Sequence, residues 1–481
     1  LSSTEVRLRP SGLGPFPAAI LTVGEAQHIH ETALRILERV GIYVADAGLR
    51  RRAAEAGIPV RGERAHPPAE VVERHVEAHR RRLQAHRPGA VQSRVLRLAP
   101  SSYHHHLLDL DADTPAPYTE ESLVQMARLT DTLQDRGVGG VVPGFPPDVP
   151  AVLQPLLQYR IGAENLRAGP DLSGVTSPEL MEYLFDMAEV MERPIRHLPV
   201  YVYSPMRLCG ESLDLVLHFE RQLEGVHVSS MPAAGATAPM EPFGALAVAA
   251  AEVLGSLALL SEVTDLQIGF SVAVFPFDLR SMTMVFGTPD NLLLRLACAD
   301  LNAYYGHEPT GSRGLGEIYV MAKLPDAQAA AEKASLMTTA ALLGERWFSG
   351  AGALCMDDLF SPVQLLIDCE IRDHVQRLIA GLDVHDSGAD WAEVAEQGCR
   401  EGFAGLESTA AHFRRLSWFP ALFDRGPFGA WLQDRGPDIV ERARALCRQS
   451  LLRHSFELDI IKRRELARLW QAAVERARDV P

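Results

Sequence analysis

Cysteine is sparse and scattered in this chain. Cys209, Cys298, Cys355, Cys369, Cys399 and Cys447 form no Cys-x-x-Cys pair, which argues against a structural zinc site or a disulfide framework and sets a reducing cytoplasm as the expectation. Positive charge is also short. With 47 Lys and Arg against 62 Asp and Glu, the formal net charge is −15, so neither nucleic acid nor an anionic membrane is expected as the main partner. The first residues lack the charged-then-apolar pattern of a signal segment. Only 242–263 approaches membrane length as an apolar run, and Glu252, Gly255 and many alanines interrupt it, so it reads as a buried helix. No Gly-x-Gly-x-x-Gly follows a strand pattern, which weighs against a dinucleotide fold. The run His104-His105-His106 does not make a metal site, because neighbours on a strand point to opposite faces. It reads as part of a surface hairpin, and no tightly bound metal is expected.

What the chain does have is length and alternation. At 481 residues and 47% hydrophobic, it can bury one large core and an accessory region. Thr22 with Glu25 forms a capping-box start, after which Ile29, Ala33, Ile36, Leu37 and Val40 make one apolar helical face that ends at Gly41. Two more helices follow over 47–56 and 68–86, the second with the basic run Arg80-Arg81-Arg82 on its solvated side. Val95 to Leu98 and His105 to Leu110 alternate like a hairpin. Residues 1–117 therefore read as a helical accessory layer.

From Tyr118 onward strand and helix alternate. The strand candidates are 138–142, 198–203, 226–230, 267–275, 304–311 and 346–350, each followed by a helical stretch. This many such units within 118–380 suggests a (β/α)8 barrel, with a doubly wound sheet as the alternative. Residues 381–481 read as a charged helical region packed outside it.

A barrel of this kind places its working groups at strand C-termini and in the loops that follow. The loop Met231–Pro239 is of that sort. Its prolines, Gly235, Ala236 and Thr237 leave the backbone bare enough for close approach by a ligand or cofactor. The other candidates are Tyr201, Tyr203, Phe275, Phe277, Asp278, Arg280, Arg313, Glu317, Tyr319 and Trp347. Aromatic rings converging from several strands are what a quaternary ammonium ion requires, since it has no N–H to donate and is held by ring faces. Top-layer barrel packing is the other reading of the same rings. Arg313 or Arg280 would grip a substrate carboxylate, and Asp278 and Glu317 are the candidate catalytic carboxylates. Asp278 with Arg280 could equally be a surface pair, and Glu317 a solvated loop group. Asp326, Gln328 and Glu332 read as the cap and start of the next helix.

The loop Met231–Pro239, Gly287-Thr288-Pro289, the segment Ala322 to Gln328 with Glu332 and Lys333, and Gly350-Ala351-Gly352 resemble, in order and spacing, the trimethylamine methyltransferase family. The similarity runs from Ile29 to about Phe428. It implies a (β/α)8 barrel that moves a methyl group from an amine to the cobalt of a corrinoid (cobalamin) carried by a partner protein. Some members carry pyrrolysine, and this chain contains none. The implied substrate is then a quaternary amine of the glycine betaine kind, which already holds a leaving group, so that the protein's share is orientation and desolvation. A homo-oligomer is expected. In the family a histidine precedes the Gly-Ala-Gly and a glutamate follows it; here Ser349 and Cys355-Met356 stand there, and the segment 314–321 also departs from the pattern. A barrel that only binds a quaternary amine, as a sensor or degenerate scaffold, is the alternative.

Overall fold

The computed structural model describes residues 19–85, 95–172, 174–307, 314–382, 384 and 388–478. The first helix, Val23–Arg39, starts as its sequence dictates: the Thr22 hydroxyl accepts from the Glu25 amide and the Glu25 carboxylate accepts from the Thr22 amide. Its apolar face packs on the long helix Pro242–Val263. Gly255 permits the close crossing, because a Cβ there would meet Leu37 at 2.6 Å. By length and composition Pro242–Val263 could cross a membrane, but 83% of its apolar window is buried inside the fold.

Parallel strands form two arcs. In the first, His197–Tyr203 lies beside Gly225–Ser230, which lies beside Gln267–Phe270. In the second, Trp347–Ser349 lies beside Arg97–Ala99. Single bridges add Val138 next to Leu98 and Glu317 next to Ser349. Strands adjacent in sequence are neighbours in space, and the last sits beside the first, which is the progression of a curled, barrel-type sheet. Hydrogen bonds do not close the full ring among the described residues. Side chains alternate along each strand: Leu198, Val200 and Val202 are buried, while His197, Tyr201 and Tyr203 are exposed on the opposite face. The protein is thus α/β, with parallel strands curled under a layer of helices.

Several expectations change in detail. Val95–Leu98 and His105–Leu110 do not pair as a hairpin. Arg97–Ala99 joins Trp347–Ser349 from the far end of the chain, and His106–Leu108 pairs with Pro115–Pro117 and with Leu359–Phe360. Alternation identifies a strand but says nothing about its partner. His104 is fully buried, whereas His105 and His106 are exposed. The run 267–275 divides into Gln267–Phe270 and Phe275–Asp278, the second pairing with Ala233–Ala234. Tyr304 ends the helix Pro289–Tyr304 instead of opening a strand, and 308–311 lie outside the described residues. In 138–142 only Val138 makes a bridge. Beyond 381 the chain is helical, with Ile439–Leu451 packed on Pro362–Ile379 and Ile460–Ala477 packed on Pro178–Val190.

The seam between Glu317 and Ser349 depends on a bare backbone. A Cβ on Gly316 would lie 2.1 Å from the carbonyl oxygen of Trp347, while the Gly316 carbonyl accepts from the Ser349 amide at 2.8 Å. Gly316→Ala is therefore expected to destabilise the protein by about 1–3 kcal/mol through overpacking, read as a lower urea midpoint. An unchanged midpoint would mean that this seam contributes little.

Candidate active site

The C-terminal ends of the two arcs meet through tyrosines. Tyr103, which follows the strand Arg97–Ala99, lies 6.2 Å from the ring of Phe145 and shares a hydrogen bond with Tyr201. Tyr319, two residues past Glu317, hydrogen-bonds Ser101. The Tyr319 ring is 6.1 Å from Phe286, which is 5.2 Å from Phe275. Desolvation raises the Tyr319 phenol and, beside Tyr103, the phenol of the partly exposed Tyr201 above their ordinary value, so both stay neutral. Glu317 adds a carboxylate. Its backbone carbonyl accepts from the buried Arg295, whose guanidinium also takes the Gly314 carbonyl at 2.9 Å. That cation is committed to the wall. Rings, phenol hydroxyls and the Glu317 carboxylate, the last beside the buried Arg295 guanidinium, thus gather at this end of the strands.

Buried polar clamps hold this mouth in shape. The Lys333 ammonium donates to Asp368 at 2.8 Å and to the Gly350 carbonyl at 2.9 Å, and the same carboxylate accepts from the Gly352 amide at 2.7 Å and from Gln364 at 2.7 Å. Both charges are fully buried. Asp326 caps the helix Ala327–Leu342, accepting from the amides of Gln328 and Ala329. Glu332 takes the Met321 amide at 2.9 Å. Across the mouth, Glu252 accepts from the Ser204 hydroxyl and the Met206 amide, each at 2.8 Å, and burial raises its carboxyl above the usual range. After the Gly350–Gly352 turn, Cys355 and Met356 both take positive φ, 51° and 65°. Two consecutive non-glycine residues in that region store strain of the kind found near functional sites.

The candidates read from sequence divide into groups. Tyr201, Phe275, Glu317 and Tyr319 come together at the mouth. Phe277 lies farther along, in register with Met284 on an outer hairpin. Asp278 and Arg280 pair with each other at 3.2 Å on that hairpin, where the Arg280 side chain is 94% exposed. Tyr203 ends its strand over Gly210 and is exposed. Arg313 lies outside the described residues. The amides of Gly235, Ala236 and Thr237 all donate within their own loop, and the Thr237 hydroxyl accepts from the Ala233 amide, so these three amides are not free to receive a ligand. Trp347 opens its strand at the far end, with its ring against Gly139. The sequence reading missed Ser101, Tyr103, Phe145 and Phe286. Ser101 and Tyr103 directly follow a strand candidate, a signal lost once that strand was assigned to a hairpin.

One family's sequence model, described as trimethylamine methyltransferase (MTTB), matches residues 14–468. The trimethylamine methyltransferase MttB of Methanosarcina barkeri (strain Fusaro / DSM 804) is 28% identical over 284 residues, 58% of this chain and 56% of that protein. The chain thus spans little more than half the length of this relative. The glycine betaine methyltransferase of Desulfitobacterium hafniense (strain Y51) is 23% identical over 448 residues, 90% of this chain and 92% of that protein. Among solved structures, the Methanosarcina barkeri monomethylamine methyltransferase (MtmB) aligns over 90% of this chain and 88% of its own, with 10% identity and a TM-score of 0.44.

Two measurements probe the clamps. Lys333→Met leaves the Asp368 carboxylate buried without its cation and is expected to cost about 3–5 kcal/mol in urea unfolding, with partial recovery in Lys333→Met/Asp368→Leu. If the single change is neutral, the pair does not organise the turn. His104 is buried beside the Phe360 ring, and burial pushes its imidazole down to about 3 from 6.5. Between those values the unfolded chain binds one proton more, so stability should be complete above about pH 6.5 and fall by about 1.4 kcal/mol per pH unit below it from this group. His104→Leu is expected to flatten the profile by that amount between about pH 6 and pH 4. An unaltered slope would assign the acid sensitivity to other groups.

Proposed function

The chain belongs to the trimethylamine methyltransferase family, and from that premise we propose that it moves a methyl group from a quaternary amine of the betaine kind to a corrinoid carried by a partner protein. What supports this reading is the run of contacts at the C-terminal ends of the strands, Tyr103 with Tyr201, Tyr319 with Ser101 and Phe286, and Phe286 with Phe275, with Glu317 two residues from Tyr319. The rings hold the ammonium by their faces, and the Glu317 carboxylate balances its charge. Because the leaving amine departs neutral, taking the electron pair of the broken C–N bond, no side chain needs to protonate it. This chain's work is to orient one methyl group outward and to keep water from the cation.

A corrinoid also fits the rim. Gly235, Ala236 and Thr237 are small and at least partly exposed, and Met231, Met240, Leu279 and Met282 stand exposed around the loop and the outer hairpin. The rim is therefore apolar, and low where a broad ring must approach. When bound, the corrinoid supplies reduced cobalt as the nucleophile for the methyl carbon. Asp278 with Arg280 shapes the hairpin at this rim, and Phe277 and Tyr203 extend the aromatic wall outward. With Arg280 paired to Asp278 on the hairpin, Arg313 is the group assigned to a substrate carboxylate. Self-association belongs to the same reading, supported by the exposed Trp391, Phe413, Phe428 and Trp431.

Calorimetry with glycine betaine, carnitine, choline and the uncharged isostere neohexanol tests the proposal. The charged ligands should bind and neohexanol should not. Tyr319→Leu should weaken binding by about 0.5–2 kcal/mol, the range for one cation–π contact, while Tyr319→Phe keeps most of the affinity. Equal binding of neohexanol and choline would remove the cation reading. Absence of dimethylglycine after incubation with betaine and a reduced corrinoid protein would separate amine binding from methyl transfer.

A further inference from the structure

At the end of the strands opposite the mouth lies a second hollow of about 680 Å3 whose chemistry is different. It is lined by Arg97, Arg136, Arg193 and Arg372 against Asp135, Asp171 and Asp373, with Trp347 on one wall. In a chain of formal net charge −15, four guanidiniums around one concavity are out of keeping with the rest of the surface, and a hollow focuses their field. The aspartates do not neutralise them evenly. Arg136 and Arg372 share Asp373, at 3.2 and 2.7 Å. Asp135 turns toward Arg167, at 3.7 Å. Arg97 is exposed and makes no side-chain hydrogen bond or ion pair among the described residues. Arg193 donates only a long bond, 3.4 Å, to the Pro170 carbonyl, with Asp171 nearby.

The flat group in this hollow is Trp347. It stands in register with Arg97 on the adjoining strand, so indole and guanidinium are cross-strand neighbours on one face. The indole rests against the bare backbone of Gly139, where a Cβ would come within 2.8 Å of the ring, and is 42% exposed. An exposed indole beside an arginine that has no side-chain partner among the described residues, with a second arginine lining the same hollow, can stack a ring and grip an anionic oxygen at once. The volume is in the range that holds a small organic ligand.

We propose that this basin is a second binding site, for an organic anion in which a flat ring carries a phosphate or carboxylate group, the ring stacked on Trp347 and the anionic oxygens held by Arg97 and Arg193. The site is separate from the mouth, so its occupancy neither requires nor competes with a quaternary amine there.

The test uses the full-length protein, titrated by calorimetry and tryptophan fluorescence with adenosine 5′-monophosphate as the phosphate probe and benzoate as the carboxylate probe. Adenosine and inorganic phosphate serve as the separate halves. At least one probe should saturate a single site with a dissociation constant of about 1 mM or tighter, with quenching that is lost in Trp347→Phe. The halves should bind about tenfold more weakly or worse. Arg97→Ala and Arg193→Ala should each weaken the binding probe about tenfold, the size of one charge-assisted hydrogen bond. Arg81→Ala, on the solvated side of the helix Ala69–Ala85, should leave it unchanged, and glycine betaine should not displace it. Both arginines are exposed, so their removal leaves the core intact. The proposal is overturned if neither probe saturates, if adenosine or phosphate alone binds as well as the joined molecule, or if both arginine variants bind like the parent.

Discussion

The arrangement at the mouth depends on one buried ion pair. Lys333 comes from the helix Ala327–Leu342 and Asp368 from the helix Pro362–Ile379, and between them they hold the Gly350 carbonyl and the Gly352 amide. Placing two charges away from water is expensive unless geometry and further hydrogen bonds compensate, and here Gln364 and the two backbone groups provide that compensation. The turn so fixed lies where the last parallel strand meets the first: the Ala351 amide donates to the Ala99 carbonyl. Tyr319 rests on Gly350, within contact distance of where a Cβ would sit. A loosened pair would thus disturb the seam, the turn and an aromatic wall together.

Charge is distributed in a way that separates the two ends of the strands. Near the mouth, Arg295 is held by backbone carbonyls and Arg280 by Asp278, beside phenols, rings and the Glu317 carboxylate. At the other end arginines gather around an exposed indole. Opposite preferences can coexist in one sheet because side chains on adjacent strands are neighbours while the two ends of a strand are several residues apart, and screening in water weakens coupling over such distances.

The segment around Gly350–Gly352 is the most constrained backbone near the mouth. Ser349, Cys355 and Met356 flank Gly350–Gly352, and the last two are in the left-handed region. Their backbones are tied down: the Cys355 amide donates to Ala322 and the Met356 amide to Val320.

Much was determined by local sequence alone. The Thr22 capping box, the Asp326 cap, the buried helix 242–263, the strands near 198–203 and 226–230 and the α/β class follow from short-range rules, because side-chain periodicity and end chemistry act within a few residues. Tyr201, Phe275, Glu317 and Tyr319 were legible as candidates for the same reason, since they stand at or just past strand patterns. The tertiary structure alone decided which strand lies beside Arg97–Ala99, and with it that Ser101 and Tyr103 belong to the mouth while Trp347 belongs to the opposite end. It also decided that Lys333 finds Asp368, 35 residues away. Strand register and buried charge pairing are settled by contacts between distant segments, and periodicity carries no information about which segments those are.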